Sequence, residues 1–356
     1  MAATRIVGID IGHDVIRAVE VENAATTHPI VTRMHAVELP EGAVRGGEVR
    51  DVAAVTAAMK QLWTEGDFKS KDVVMGMGNQ RVMARDVTVP YGTLEQIRES
   101  LPFQVQDLLP MPASEAVLDF YPVSEGTSEA GPVVHGLLIA AEKSAVLNNV
   151  NAARKAGLSP VQVDLIPFAL ARVMSLDQAA AIDADSTEGS VVLVEIGANT
   201  THFVITAAGI PQFVRMIPAG SDDVTRALVE RLSIEPQAAE DAKRARGLSN
   251  APVTSEFDRI VAEVIYEKVG ELFNSLRNTI NYFANTHQGQ PISTILLGGG
   301  GAAVVGLAGA LEEFTRLRVV VPDPLGSVQV ASDAVRTGDP TGNMTVALGL
   351  ALGSVA

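Results

Sequence analysis

The sequence predicts an α/β fold of two related lobes, with a small module inserted in the first. Three observations carry this. An apolar run ending in acid-Ile-Gly occurs twice, as Ile6-Val7-Gly8-Ile9-Asp10-Ile11-Gly12 and as Val191-Val192-Leu193-Val194-Glu195-Ile196-Gly197. About 185 residues separate the copies, a spacing that suits two related halves closing on one ligand. Strand-like and helix-like stretches alternate along most of the chain, which implies mostly parallel central sheets. Residues 82–157 break that rhythm and read as a compact insert of helix, hairpin and helix.

The elements follow in order. Residues 4–12, 15–22 and 30–39 read as strands separated by turn residues. Asp51 to Trp63 has Val52, Val55, Met59 and Leu62 at helical spacing. Asp72 to Met77 is a short apolar strand, and Val82 to Val89 alternates until Pro90. From Thr93 the apolar residues Leu94, Ile97, Leu101, Val105, Leu108 and Leu109 predict a helix that Pro102 kinks or splits. Strands at 116–123 and 133–141 flank an eight-residue loop, Ser124 to Gly131. Ser144 is placed to cap a helix that stops at Gly157. A strand and helix at 160–180 return to the first lobe.

The second half opens at Ser190. Strands at 201–207 and 211–217 follow, then a helix, then an all-helical section over roughly 226–287. Its long helix from Thr254 carries Ile260, Val261, Val264, Val269, Leu272, Leu276, Ile280 and Phe283 along one side. Core packing explains that stripe better than a partner groove. Ile292 to Leu297 is a buried strand, Gly298 to Gly301 the turn after it, and Val304 to Phe314 a helix. The apolar stretch from Met344 to Ala356 is too short to span a membrane and reads as a buried closing helix.

Composition narrows the function. The chain has 356 residues, 47% of them hydrophobic, so more than one domain with sizeable cores is expected. A net charge of −15 argues against nucleic acid as a main partner and against adsorption to an anionic membrane. Without cysteine there is no disulfide, zinc thiolate or thiol nucleophile. None of the six histidines forms a pair at metal-ligand spacing. No leader peptide is read at the start, and a cytoplasmic protein is expected.

The acid-Ile-Gly turns carry the chemistry. A strand that ends in a carboxylate and a tight glycine turn can present backbone N–H groups to a phosphate and the acid to its Mg²⁺ shell. The alternative for Asp10 is an acid that caps its own turn; a matching Glu195 favours nucleotide binding. The glycines at 298–301 let a flat ligand approach the backbone, and tight strand–helix packing explains them nearly as well. No Walker A sequence, G-x-G-x-x-G junction or G-x-S-x-G elbow occurs.

Three turns in this order resemble the actin-like ATPase superfamily. The resemblance implies a duplicated mixed sheet flanked by helices, binding ATP with Mg²⁺. Asp10, Gly12 and His13 would hold the first side of the phosphates, with Asp10 near the metal through water. Gly197, Ala198, Asn199, Thr200 and Gly220 would hold the second side. Gly298, Gly299, Gly300 and Gly301 would lie by the ribose and adenine. The run Ala239-Glu240-Asp241-Ala242-Lys243 resembles the helix that contacts the nucleoside, with Glu240 toward the ribose and Lys243 toward the base; an ordinary solvated face is the competing reading.

Within that superfamily the insert resembles the SHS2-type domain of the FtsA/PilM branch. Segments similar to the PilM family run along nearly the whole chain. They include Leu101-Pro-Phe-Gln-Val-Gln-Asp-Leu-Leu-Pro-Met-Pro112, Leu118-Asp119-Phe120 and Ala152-Ala-Arg-Lys-Ala-Gly-Leu158. Further on are Val163-Asp-Leu-Ile-Pro-Phe-Ala-Leu-Ala-Arg172 and Ser275-Leu-Arg-Asn-Thr-Ile-Asn-Tyr-Phe283. FtsA proteins usually end in a basic amphipathic membrane helix, whereas this sequence ends at Ala356 after the closing helix.

The family's division, carried over, gives a first actin-like domain of 1–81, 158–188 and 331–356, with 82–157 inserted. The second is 189–225 and 288–330, with a helical subdomain at 226–287. The implied role is an ATP-binding scaffold peripheral to the inner membrane. It would bind the N-terminal tail of a PilN-like membrane protein in a groove between first domain and insert, and act with other pilus assembly proteins. Self-association through 226–287 stays open.

Two departures bear on turnover. Glu195 stands where the superfamily commonly has Asp, and Ile166 precedes Pro167 where an acid often orients the attacking water. Unless Asp164 or Glu195 substitutes as the catalytic carboxylate, weak or no hydrolysis is expected. The rivals are an FtsA-like filament former and a small-molecule kinase of the same superfamily.

Overall fold

The computed structural model describes residues 4–26, 28–181, 189–249, 252–287, 289–334 and 344–353. The stretches 182–188, 335–343 and 354–356, expected in the first actin-like domain, lie outside the described residues.

Two mixed sheets repeat one topology. The first is built from β1 (Arg5–Ile11), β2 (Val15–Glu22), β3 (Ile30–Glu38), β6 (Asp72–Met77), β10 (Ser159–Leu165) and β16 (Gln329–Val330), in the order β10-β6-β1-β2-β3-β16. A small hairpin, β4 (Val44–Arg45) with β5 (Glu48–Val49), lies between β3 and α1 (Val52–Gly66) in the chain. The second is built from β11 (Ser190–Ile196), β12 (Thr201–Ala207), β13 (Ile210–Ile217), β14 (Ile292–Gly298) and β15 (Arg318–Val320), in the order β13-β12-β11-β14-β15. In each, an antiparallel three-stranded meander is extended beyond its first strand by parallel strands, and in the first sheet β16 also pairs parallel with β3 on the other side. The sheets are therefore mixed rather than mostly parallel: short turns after β1 and β11 permit only antiparallel neighbours.

Helices cover both sheets. α1 begins where the Asp51 carboxylate accepts the N–H groups of Ala53 and Ala54 at 2.9 Å. It packs with α3 (Lys143–Lys155) on one face of the first sheet. The other face is covered by α4 (Ile166–Ala181) and α9 (Thr345–Leu352). Gly8 is the residue that lets α9 lie on β1, since a Cβ there would overlap the Ala347 carbonyl. On the second sheet one face carries α5 (Ser221–Leu232), α6 (Pro236–Arg246), α7 (Glu256–Thr286) and α8 (Leu307–Thr315). The apolar stripe of α7 is core, with Val261, Val264, Leu272, Leu276 and Phe283 buried.

The insert is a three-stranded antiparallel sheet, β7 (Val82–Pro90), β9 (Gly131–Glu142) and β8 (Ala116–Ser128), with α2 (Leu94–Gln104) packed on it. Thr93 and Gln96 form a capping box at the start of α2, and Pro102 is accommodated in its last turn. The polar stretch expected as a loop is instead strand: β8 runs to Ser128 and pairs with Gly131. Ser124 to Ser128 lie on an outer strand, where solvent meets their side chains.

Two packing features position the site. α3 begins beside the insert, yet Ala152 and Ala153 sit in the first sheet's core, and Thr56 Oγ1 donates to the Ala152 carbonyl at 3.3 Å. Leu137 and Ala141 of β9 share one apolar cluster with Ala171 and Met174 of α4 and with Val191, Val204, Val214 and Leu296 of the second sheet. The insert therefore rests on both lobes.

Candidate functional site

The two acid turns face one another, and each is a four-residue hairpin tip. Gly12 N–H donates to the Val15 carbonyl at 3.0 Å, and Gly197 N–H donates to the Thr200 carbonyl at 3.0 Å. The glycine N–H groups thus close their own hairpins and are not turned to an anion. This differs, for the two glycines, from the expectation that the turns' backbone N–H groups face a phosphate.

Strand register then places a cation opposite each acid. Asp10 pairs with Arg17 across β1 and β2, and Glu195 pairs with His202 across β11 and β12. The spacing from acid to cation is the same in both copies. Asp10 Oδ2 lies 4.0 Å from Arg17 Nη1. Burial pushes the Asp10 carboxyl up to about 6; Arg17 opposes the rise, the Glu195 charge adds to it and His202 opposes it. Glu195 Oε2 lies 2.7 Å from His202 Nδ1, and His202 Nε2 lies 2.8 Å from the Gly78 carbonyl of the first lobe. Burial of the imidazole disfavours its charge, but the Glu195 carboxylate, the Gly78 carbonyl and Asp10 together hold it above the ordinary histidine range.

At the rim, burial raises the Asp14 carboxyl, His13 opposes this, and Asp222 and Glu240 of the second lobe raise it further. The cleft mouth is therefore acidic from both sides. Inside it, His13 Nδ1 is buried without a hydrogen-bond partner, which is a donor or acceptor position a bound ligand can complete.

The start of α5 is stitched to the second turn. Ser221 N–H donates to Gly197 O at 3.0 Å, Asp222 N–H to Ala198 O at 2.9 Å, and Gly220 N–H to the Asp223 carboxylate at 2.9 Å. Asn199 Nδ2 donates to Asp222 Oδ2 at 3.0 Å. The third turn leans on the second: Gly299 has φ of 89°, and a Cβ on it would lie 2.6 Å from Glu195 Oε1. Gly300 to Ala303 form a 3-10 turn rather than the start of a helix, and α8 begins only after Gly306 in the left-handed region. Close packing on Ile196 accounts for Gly299 and Gly301.

Beside these turns a cavity of about 230 Å³ opens between the second sheet and the helices. Ile196, Gly220, Ser221, Lys243, Gly301 and Val304 line it, together with Lys268, Glu271 and Ser275 of α7. The α7 residues were not legible as site residues in the sequence. Their signal was three polar positions interrupting an apolar helical stripe.

Three expected residues are already committed. Lys243 is only 4% exposed in its side chain, pairs with Glu240 and donates to Thr225 Oγ1 at 2.9 Å and to the Ser221 carbonyl at 3.1 Å. Glu240 in turn accepts from Thr225 at 2.8 Å and Arg244 at 2.8 Å. This pair ties α6 to α5. Asp164 accepts from Leu165 N–H at 2.7 Å and pairs with Arg172, whose Nε donates to the Gly349 carbonyl at 2.9 Å. It anchors β10 to α4 and α9.

The comparisons with known proteins fit this architecture. A family model described as type IV pilus assembly protein PilM matches residues 8–355. The chain belongs to the PilM family. A solved PilM-PilN type IV pilus biogenesis complex is similar at 26% identity, covering 99% of this chain and 98% of that chain, with a TM-score of 0.83. The cell division protein FtsA of Bacillus subtilis (strain 168) is 20% identical over 252 residues, which is 64% of this chain. The match spans only 55% of FtsA's own length. The ethanolamine utilization protein EutJ from Carboxydothermus hydrogenoformans is 16% identical, covers 99% of this chain and 90% of that chain, and has a TM-score of 0.55. The fold is thus the actin-like, two-lobed α/β arrangement of the PilM family. Among the described residues, no helix is long and apolar enough to cross a membrane.

Proposed function

We propose that this chain is an ATP-binding scaffold of the type IV pilus assembly platform, peripheral to the inner membrane through a PilN-like partner. Membership of the PilM family carries the pilus assignment. The duplicated hairpins, each with an acid and a cation in the same register, are the observation that carries nucleotide binding.

The residues present suit a nucleotide. The tips at His13–Asp14 and Ala198–Asn199 would hold the phosphates from both lobes, and the neighbouring cavity would take the nucleoside. Bound ATP would supply the phosphate anion and its metal. Among the described residues, no group of three or more His, Cys, Asp or Glu could hold a metal unaided. Mg²⁺ would therefore arrive on the phosphates, with Asp10 facing its water shell.

Turnover is slow in this reading. Glu195 is occupied by His202, Asp164 by Arg172, and Ile166 offers no polar atom to orient water. Without a positioned base, phosphoryl transfer to water lacks its main protein contribution.

The partner tail would enter where the insert meets the first lobe. A cavity of about 480 Å³ on the first lobe, beside the segment that leads into the insert, is lined by Arg45, Gly46, Glu48, Arg50, Gln80 and Arg81. Its walls are charged, so backbone carbonyls or an acidic side chain of an extended peptide would be held there. The four-part division, with 82–157 as an SHS2-type insert, belongs to the same proposal.

A single-turnover assay with labelled ATP, Mg²⁺ and excess protein tests it. Retained, unhydrolysed ATP is expected. Rapid conversion to ADP and release would make this a working ATPase, and no bound label would remove nucleotide from the account.

A further inference from the structure

His202 joins three parts of the molecule. It stands on β12 beside the second acid turn, and its ring is buried. Glu195 Oε2 at Nδ1 and the Gly78 carbonyl at Nε2 are both acceptors. The ring must donate from both nitrogens to satisfy them, so it is held as an imidazolium. The groups facing it are Glu195, the Gly78 carbonyl and, further off, Asp10.

Gly78 opens the short segment that leads from β6 into the insert. The next residue, Asn79, is buried: its Nδ2 donates to the Gly47 carbonyl and its Oδ1 accepts from Arg81 N–H, both at 2.9 Å. Arg81 then binds Glu48 Oε1 at 2.6 Å and Glu142 Oε2 at 2.8 Å, and Glu142 N–H donates to the Arg81 carbonyl at 2.9 Å. Glu142 ends β9. Both strands by which the insert joins the first lobe are therefore fastened to residues 78–81. Gln80 and Arg81 also form part of the charged cavity assigned to the partner tail.

We propose that His202 is a latch that passes the state of the second acid turn to the insert hinge and so to the partner groove. This rests on the reading of the cleft as a nucleotide site and the groove as a tail site. A phosphate entering the cleft competes with Glu195 for the imidazolium, and a cation competes with His202 for Glu195. Either displaces the ring, and displacing the ring releases the Gly78 carbonyl at the root of the insert. The latched arrangement is one state of a two-state element that both ligands bias, so each ligand must change the other's affinity by the same factor.

The test uses the full chain and a fluorescent peptide copying the N-terminal tail of the source organism's PilN-like protein. Its anisotropy is titrated with and without a non-hydrolysable ATP analogue and Mg²⁺. The wild type should show about a tenfold change in peptide affinity, equivalent to about 1.4 kcal/mol. In His202→Gln the coupling should fall below about twofold, whatever the substitution does to the affinity for each ligand alone. Gly78→Ala attacks the latch from the other lobe, because its Cβ would overlap His202 Nε2, and it should give the same result. Full coupling in both variants would overturn the latch and leave the two sites standing. A wild type that binds both ligands without coupling would also overturn it. A wild type that fails to bind nucleotide or peptide would bring down the underlying assignment and the latch with it. Amide exchange over 78–82 is the independent readout: it should accelerate when the analogue binds wild type, and an unchanged rate would contradict the latch.

Discussion

In the first lobe Asp10 faces Arg17 at 4.0 Å; in the second, Glu195 faces His202 at 2.7 Å. The backbones are alike, down to the glycine N–H that closes each hairpin. The first pair is loose, and burial leaves the Asp10 carboxyl near 6, so a cation arriving beside it would relieve a standing penalty. The second pair is tight, and its histidine also reaches the other lobe. One duplicated unit has thus diverged into a turn poised for a ligand and a turn fastened across the cleft.

The largest test exchanges the residues two positions before each acid. Gly8 lies under α9, whereas its counterpart Leu193 is fully buried in the apolar cluster shared by the second sheet, α4 and the insert. Gly8→Leu should cost more than about 3 kcal/mol by overpacking, and Leu193→Ala about 2–5 kcal/mol by leaving a cavity. Thermal or urea melts would read both; a tolerated Gly8→Leu would break the packing account of α9.

Next come the acids. Between about pH 4 and 6 the folded chain keeps a proton on Asp10 that the unfolded chain has released, so stability falls as pH rises through that window. Asp10→Asn should abolish this dependence and stabilise the chain at pH 7 by on the order of 2–3 kcal/mol. Glu195→Gln should instead destabilise, by about 3 kcal/mol, because it leaves a buried imidazolium without its counter-charge. Opposite signs for the two variants at pH 7 sharpen the comparison; the same sign would erase it.

His202 adds a second pH window. Its folded pKa is raised, so its contribution is complete below pH 6.5 and is lost as pH climbs through the higher folded value. His202→Gln should flatten the alkaline arm of the stability profile and, by removing a charge that holds the Asp10 carboxyl down, extend the acid window to higher pH. The smallest effect belongs to Arg17→Gln, which removes the charge that most opposes the rise of the Asp10 carboxyl and should extend the acid window to higher pH in the same melts.

Much of this was legible in the residues. The apolar runs ending in Asp10 and Glu195 specified both central strands and the duplication. The cations opposite them were missed, although Arg17 and His202 stand seven positions after their acids in both copies. Strand register, which period-two patterning does not reveal across a turn, is what makes them partners. Ser124 to Ser128 looked like loop because an outer strand can be polar on its solvated positions. Val304 looked helical from its apolar neighbours, but Gly306 adopts φ of 79° and delays the helix. Lys243 read as a ligand residue because sequence shows charge and not the Thr225, Glu240 and Ser221 atoms that occupy it.

The most direct measurement of the central claim is calorimetric titration of ATP, in Mg²⁺, into wild type, Asp10→Ala and Glu195→Ala at a temperature where circular dichroism shows all three folded. Two hairpins closing on one ligand predict one ATP per wild-type chain and loss of that same binding event in both variants. Wild-type affinity in Asp10→Ala, or two independent ATP molecules per chain, would contradict it.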